Sequence, residues 1–156
     1  MLIIKEIAAS DRQGVDNIAH ALHPQWFTES ALVEIANAVQ TQNGRVAVGD
    51  GRLVGFATYL LHNDGNAAEL AWIGVHPDFH RKGIGRRLVI AIEGELKRKG
   101  FERLEVHTVA TTVEYEPYAR TRRFYHSLGF SDVIVKHNWF PTGDDGLLLA
   151  KQLGKQ

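Results

Sequence analysis

One segment constrains this chain more than any other: His80-Arg81-Lys82-Gly83-Ile84-Gly85-Arg86-Arg87. Before it, Glu69-Leu70-Ala71-Trp72-Ile73-Gly74-Val75 is mostly apolar and reads as a largely buried strand. After it, Ile84, Leu88, Ala91, Ile92 and Leu96 recur on one face of a helix. The unit is therefore strand, short basic glycine loop, helix. A loop that opens a helix leaves backbone N–H groups without partners, and the helix dipole places partial positive charge beside them. Gly83 and Gly85 remove Cβ atoms, so a ligand can approach the backbone. Arg81, Lys82, Arg86 and Arg87 add charge, and the whole suits an anion, most naturally a phosphate. The loop lacks the last glycine of a dinucleotide fingerprint and the Gly-Lys-Ser/Thr of a P-loop. Taken alone, it is equally a basic turn before a surface helix.

The rest of the chain supplies the frame. Leu2–Ile7 reads as a strand. Asp11 is placed to cap a helix over about 12–22, ended by Pro24. Thr28 is placed to cap a second helix, with Ala31, Leu32, Ile35, Ala36 and Val39 on one face and Gln42-Asn43-Gly44 at its end. Two strands, 45–48 and 52–61, flank the hairpin signal Gly49-Asp50-Gly51. A strand over 68–75 leads into the glycine loop and is stopped by Pro77. A strand over 103–108, a helix from about 117 to 128, and closing strands over 131–137 and 146–150 complete the order βααβββαβαββ. Helices interleaved with hairpins and one crossover predict an α/β (α+β) fold with a mixed sheet. There is no repeat or linker, so 1–156 is expected to be one domain.

Composition narrows the function. Net formal charge is zero, which counts against wholesale binding of nucleic acid or anionic membrane. With no cysteine there is no disulfide, thiolate metal site or cysteine nucleophile. His76 and His80 are four apart but flank a turn, and no third ligand has suitable spacing, so no metal is expected. Neither a signal peptide nor a membrane-length apolar run is read, and the expected localisation is cytoplasmic.

Three stretches in order resemble the GNAT family, the Gcn5-related N-acetyltransferases. Trp72-Ile73-Gly74-Val75-His76-Pro77 carries a strand ending in V-x-P. His80-x-x-Gly83-x-Gly85 matches the acyl-CoA loop [RQ]-x-x-G-x-[GA] at both small positions, with His80 departing at the first. Arg123-Phe124-Tyr125-His126-Ser127-Leu128-Gly129-Phe130 matches F-Y-x-x-x-G-F. The likeness spans roughly residues 2–151. It implies a mostly antiparallel sheet of about seven strands flanked by four helices, and acetyl-CoA as acyl donor with no metal. It implies pyrophosphate on the backbone N–H groups of Arg81, Lys82, Gly83, Ile84, Gly85 and Arg86. Pantetheine would pair with Ile73 and Val75, with Gly74 favouring splay of the strand.

Transfer from a thioester to an amine needs a proton for the leaving thiolate and a neutral amine, and an alkyl amine of pKa about 10.4 is neutral to about one part in 10³ at pH 7. The family motif places Tyr125 near the thioester sulfur, as general acid; otherwise it is a core tyrosine. Glu69 lies where relatives often carry a base. Strand alternation puts it on one face with Ala71, Ile73 and Val75, and a partly dry cleft would raise its pKa; otherwise it is a solvated strand residue. Tyr118 and Thr121 replace residues common at a cofactor contact, and Arg120 and Arg122 either reach CoA phosphates or an acidic substrate or are solvated. Trp26-Phe27 either cover a core edge or line a substrate mouth. Trp139-Phe140 and Asp144-Asp145 lie in a closing hairpin that often borders the acceptor in such proteins, where the two aspartates either bind a cationic amine or simply build the turn.

The expectation is an N-acetyltransferase acting on a small-molecule or peptide amine, with a homodimer through the closing hairpin left open and no membrane or nucleic-acid partner. The rival readings are a non-catalytic acyl-CoA sensor and a nucleic-acid binder using Arg81, Lys82, Arg86 and Arg87.

Overall fold

The computed structural model describes residues 1–154. Seven strands form one sheet: β1 (Leu2–Glu6), β2 (Asn43–Gly49), β3 (Arg52–Leu61), β4 (Ala67–Val75), β5 (Arg103–Val109), β6 (Ser131–Lys136) and β7 (Gly146–Gln152). Their spatial order is β1-β2-β3-β4-β5-β7-β6. Only β4 and β5 run parallel, joined by a crossover through a helix; the other pairs are antiparallel. The helices are α1 (Arg12–Ala21), α2 (Glu29–Thr41), α3 (Ile84–Arg98) and α4 (Glu116–Ser127). Element order, sheet type and helix number follow the sequence reading. Among the described residues no helix is long and apolar enough to cross a membrane.

Local chemistry sets most boundaries. Thr28 caps α2, its side chain accepting from the Ala31 N–H. Asp11 works differently from the expectation. It does not cap α1 through its side chain; its carboxylate accepts from the Ala8 N–H and closes a short 3-10 turn, Ala9–Asp11, ahead of the helix. At the hairpin between β2 and β3, Asp50 and Gly51 both take left-handed backbone, as a tight turn with the sheet's twist requires. Gly44 is not a helix terminator but a strand residue: a Cβ there would lie 2.5 Å from the Ala57 carbonyl oxygen.

The sheet separates two apolar layers. On one face α1 and α2 bury Val15, Ile18, Leu22, Ile35 and Val39 against Val46 and Phe56. On the other, Ile84, Leu88, Val89, Ile92 and Leu96 of α3 and Tyr125 and Leu128 of α4 pack on Ala57, Leu70, Leu104, Val106 and Leu149. Each such aliphatic side chain contributes about 1.5–3 kcal/mol by leaving water. Helices α1 and α2 cover the β2–β4 part of their face. The β5-β7-β6 part carries polar side chains of its own strands, Arg103, Glu105, His107 and Lys136, at half-buried positions.

Candidate active site

The centre of the sheet is incomplete. Register between β4 and β5 runs from Ala67↔Arg103 to Leu70↔Val106 and stops there. Beyond it β4 keeps only its β3 neighbour. The His76 N–H donates to the Val54 carbonyl, so by alternation Gly74 and Trp72 also turn their backbone groups toward β3. Ile73 and Val75 therefore point theirs into the gap, where no strand meets them. A ligand chain with amide groups could pair there as β5 does lower down.

A bulge at Ala71 corrects the alternation read from sequence. Thr58 faces Trp72 but Tyr59 faces Leu70, so Ala71 is an extra residue in β4. Glu69 and Trp72 consequently lie on the face of α1 and α2, whereas Leu70, Ile73 and Val75 lie on the face of α3. Glu69 does not share a face with Ile73 and Val75. The gap thus joins two sides of the sheet, with the strand edge on one and a carboxylate on the other.

At the end of β4 the chain makes a 3-10 turn, Pro77–Phe79, and passes through two left-handed residues, Arg81 at φ 63° and Gly83 at φ 76°, before α3 begins at Ile84. No side chain caps α3. Left-handed backbone directly before a helix's first turn can aim successive N–H groups at a common point, the arrangement that suits an anion. A Cβ on Gly83 would meet nothing within 4 Å, so the cradle is open at that residue. Arg81, Lys82 and Arg86 are exposed around it. Ile84 buries its side chain in the core and has only its N–H to offer.

Gly85 serves packing: a Cβ there would sit 3.1 Å from Phe124, which wedges α4 against the first turn of α3. Gly74 is likewise a packing glycine. A Cβ there would be 2.7 Å from Phe56 and 3.1 Å from Leu22, on the face away from the α3 cradle, and its backbone faces β3. It is not placed to touch a ligand in the gap. His80, the departure from the loop pattern, donates from Nε2 to the Val75 carbonyl at 2.7 Å and meets Trp26 edge-on at 5.4 Å. It ties the loop to the strand end. Phe27 stands edge-on to Trp72, so both aromatics of the α1–α2 connection cover the end of β4.

Tyr125 is buried on α4 between Phe124 and Phe130, with ring centroids 5.3 and 5.6 Å away. Burial alone pushes its phenol well above the usual value, so the proton stays on at neutral pH. Glu69 behaves opposite to the expectation. The hydrogen bond from His107 Nδ1, at 3.1 Å, holds its carboxyl below the usual range, and this outweighs partial burial. His62 adds a weaker contact at 3.6 Å.

Arg122 is not a solvated helix arginine. It is buried and donates to the Val109 carbonyl at 2.7 Å, closing the end of β5. Arg120 pairs with Glu116. Thr121 back-bonds to Pro117, and Tyr118 stacks edge-on with Tyr115, whose hydroxyl donates to the Gln25 carbonyl across 90 positions. In the closing hairpin Asp145 accepts from the Asn138 N–H and Thr112, and Asp144 from Thr142, so both build the turn. Among the described residues no group of three His, Asp or Glu is arranged to hold a metal.

Sequence reading passed over Glu105, His107 and Lys136. Glu105 stands beside Glu69 in register and is held by Arg103 at 2.8 Å; His107 bridges Glu69 and Lys136. The signal was present in Arg103-Leu104-Glu105-Val106-His107, a strict polar–apolar alternation that exposes a row of ionisable groups beside the gap.

An open strand edge thus runs up to a basic glycine loop at the start of α3, with Glu69 on one face of the sheet and the buried Tyr125 on the other. The model of the acetyltransferase (GNAT) family matches residues 12–130, and the chain belongs to that family. It is 32% identical over 141 residues to the [Ribosomal protein bS18]-alanine N-acetyltransferase of Escherichia coli K12, covering 87% of this chain and 85% of that one. A GNAT-family protein from Desulfovibrio desulfuricans superposes with a TM-score of 0.88 at 22% identity, over 99% of this chain and 100% of the other. A Salmonella typhimurium protein, solved with its cofactor acetyl-CoA, gives 0.77 at 20% identity over 100% and 96%. As a GNAT acetyltransferase, the chain uses acetyl-CoA to acetylate an amine.

Proposed function

We propose that the acceptor is the α-amino group of a polypeptide. The observation that carries this reading is Glu69, held ionised by His107 where β4 borders the uncovered β5-β7-β6 part of the sheet. A carboxylate of lowered pKa is a weak base. It suits an α-amine of pKa about 7.7–8.0, of which roughly a tenth or more is already neutral at pH 7, far better than a lysine side chain near 10.4. The uncovered β5-β7-β6 face gives an extended chain room to approach. The name of the Escherichia coli relative, an enzyme of ribosomal-protein alanine, points the same way.

In this reading acetyl-CoA supplies an activated acetyl group on a thioester. The N–H groups of residues 81–86 hold its pyrophosphate, with Arg81, Lys82 and Arg86 adding charge. Ile73 and the Val75 N–H pair with the pantetheine amides, the Val75 carbonyl being held by His80. From the other face Glu69 draws in the ammonium by charge and receives its proton on the way to water. The amine nitrogen bonds to the acetyl carbon as the carbon–sulfur bond breaks. Tyr125, kept protonated by burial, gives its proton to the departing thiolate and regains one from solvent.

Two peptides test the acceptor class, one with a free N-terminus and no lysine, the other with a blocked N-terminus and one lysine. Mass spectrometry after incubation with acetyl-CoA is expected to find acetyl on the first only. Acetylation of the lysine peptide alone would refute the reading.

A further inference from the structure

His107 has no role in the reading above beyond touching Glu69, yet its ring is held by three side chains, Glu69, Lys136 and Trp139. Its Nδ1 lies 3.1 Å from Glu69 Oε2 and its Nε2 3.0 Å from Lys136 Nζ. Its ring stacks on Trp139 at 4.6 Å and 13°, and the Lys136 ammonium sits 4.2 Å from the centroid of the same indole. Gly146 makes room for this stack, since a Cβ there would lie 2.7 Å from Trp139. The other charged groups nearby are His62, from the end of β3, between Glu69 and Glu105, and Arg103 on Glu105.

The hydrogen-bonding inventory leaves one solution. A lysine ammonium only donates, so Nε2 must accept. A neutral imidazole carries one proton, which is then on Nδ1, and Nδ1–H donates to the carboxylate. Protonating the ring would set two donors against each other 3.0 Å apart. The array has one polarity: Lys136 donates to His107, and His107 donates to Glu69. A proton taken up by Glu69 cannot pass to Nδ1, because that nitrogen is already protonated.

We propose that His107 is a positioning residue for the acceptor side of the reaction: held as the Nδ1–H tautomer between Lys136 and Glu69 and clamped by Trp139, it fixes the Glu69 carboxylate at the mouth of the gap and does not relay protons. The proposal rests on Glu69 as the acceptor-side carboxylate, but its first test does not. Imidazole nitrogen-15 NMR of the wild-type protein at pH 7.5 is expected to show His107 with its proton on Nδ1. In Lys136→Met the Glu69 carboxylate still holds the proton on Nδ1, whereas in Glu69→Gln with Lys136 retained the Nε2 contact alone keeps it there, so the Nδ1–H signal is expected in both variants. An Nε2–H tautomer in the wild type overturns the proposal, whatever the acceptor.

Activity supplies the second test. His107→Asn keeps an N–H directed as Nδ1–H is, and His107→Leu keeps bulk without a donor. Losing a hydrogen bond to a charged group corresponds to about a 10–150-fold fall. That fall is expected in kcat/KM for His107→Leu, with the affinity for CoA unchanged. His107→Asn should stay within about fivefold of wild type, well inside the loss expected for a missing charged hydrogen bond. A relay needs both ring nitrogens, so equal losses in the two variants would overturn the positioning role.

Discussion

Replacing Gly83 by valine separates the anion cradle from the fold. Gly83 sits at φ 76° and ψ 13°, left-handed backbone that costs an L-residue about 1–2 kcal/mol, with a β-branched side chain at the upper end. No heavy atom lies within 4 Å of the Cβ position, so no packing clash adds to that cost. For a domain of this size the loss lowers Tm by about 2–8 °C. The Val side chain would occupy the approach to the N–H groups of the α3 first turn. A phosphate forced back by it loses one or two charge-assisted hydrogen bonds at about 1.5–3 kcal/mol each, and a 3 kcal/mol loss weakens CoA about 150-fold. Calorimetric titration reads this directly. S-acetylpantetheine, which lacks the pyrophosphate, should bind both proteins alike through Ile73 and Val75. If the variant binds CoA within about threefold of wild type, under 1 kcal/mol, the phosphate does not lie on this loop.

Other perturbations test neighbouring parts. Tyr125→Phe is expected to lower turnover by about 10²-fold or more while CoA affinity and Tm hold, since no bond or charge sets the state of that hydroxyl; unchanged turnover would remove it as the acid. The lowered carboxyl of Glu69 stabilises the fold at pH values above its unfolded pKa, and that contribution disappears as pH falls through the folded value. Denaturation of wild type and Glu69→Gln should therefore differ above about pH 5, the ordinary carboxylate range, and converge as the pH falls well below it; a gap that widened in acid would reverse the sign. Gly74→Ala sets a methyl 2.7 Å from Phe56, which is fully buried, so overpacking of about 1–3 kcal/mol should lower Tm by several degrees without altering CoA affinity at the folded temperature.

The fold was legible because its signals are local. The Gly83-x-Gly85 loop, the Phe124-Tyr125 motif and the Asp50-Gly51 turn each determine geometry within a few residues. What escaped depends on register. Ala71 lies in an apolar run where any residue could be the bulge, and its position reverses which side Glu69 occupies. Gly74 looks like a cleft glycine until Phe56, from the neighbouring strand, is seen filling its side. His107 lies 38 positions from Glu69, and only the parallel β4–β5 pairing brings them together. Arg122 reads as a surface residue on its helix, but its turn faces the end of β5.

Amide hydrogen exchange, followed residue by residue by NMR with and without acetyl-CoA, tests the central claim most directly. The free protein leaves the N–H groups of Ile73 and Val75 facing an empty strand edge, whereas His76 is already bonded to β3. Acetyl-CoA in that gap should slow exchange at Ile73, Val75 and the residues from Arg81 to Arg86, with little change at His76. Protection confined to other parts of the sheet, with these amides unaffected at saturating ligand, would contradict the account.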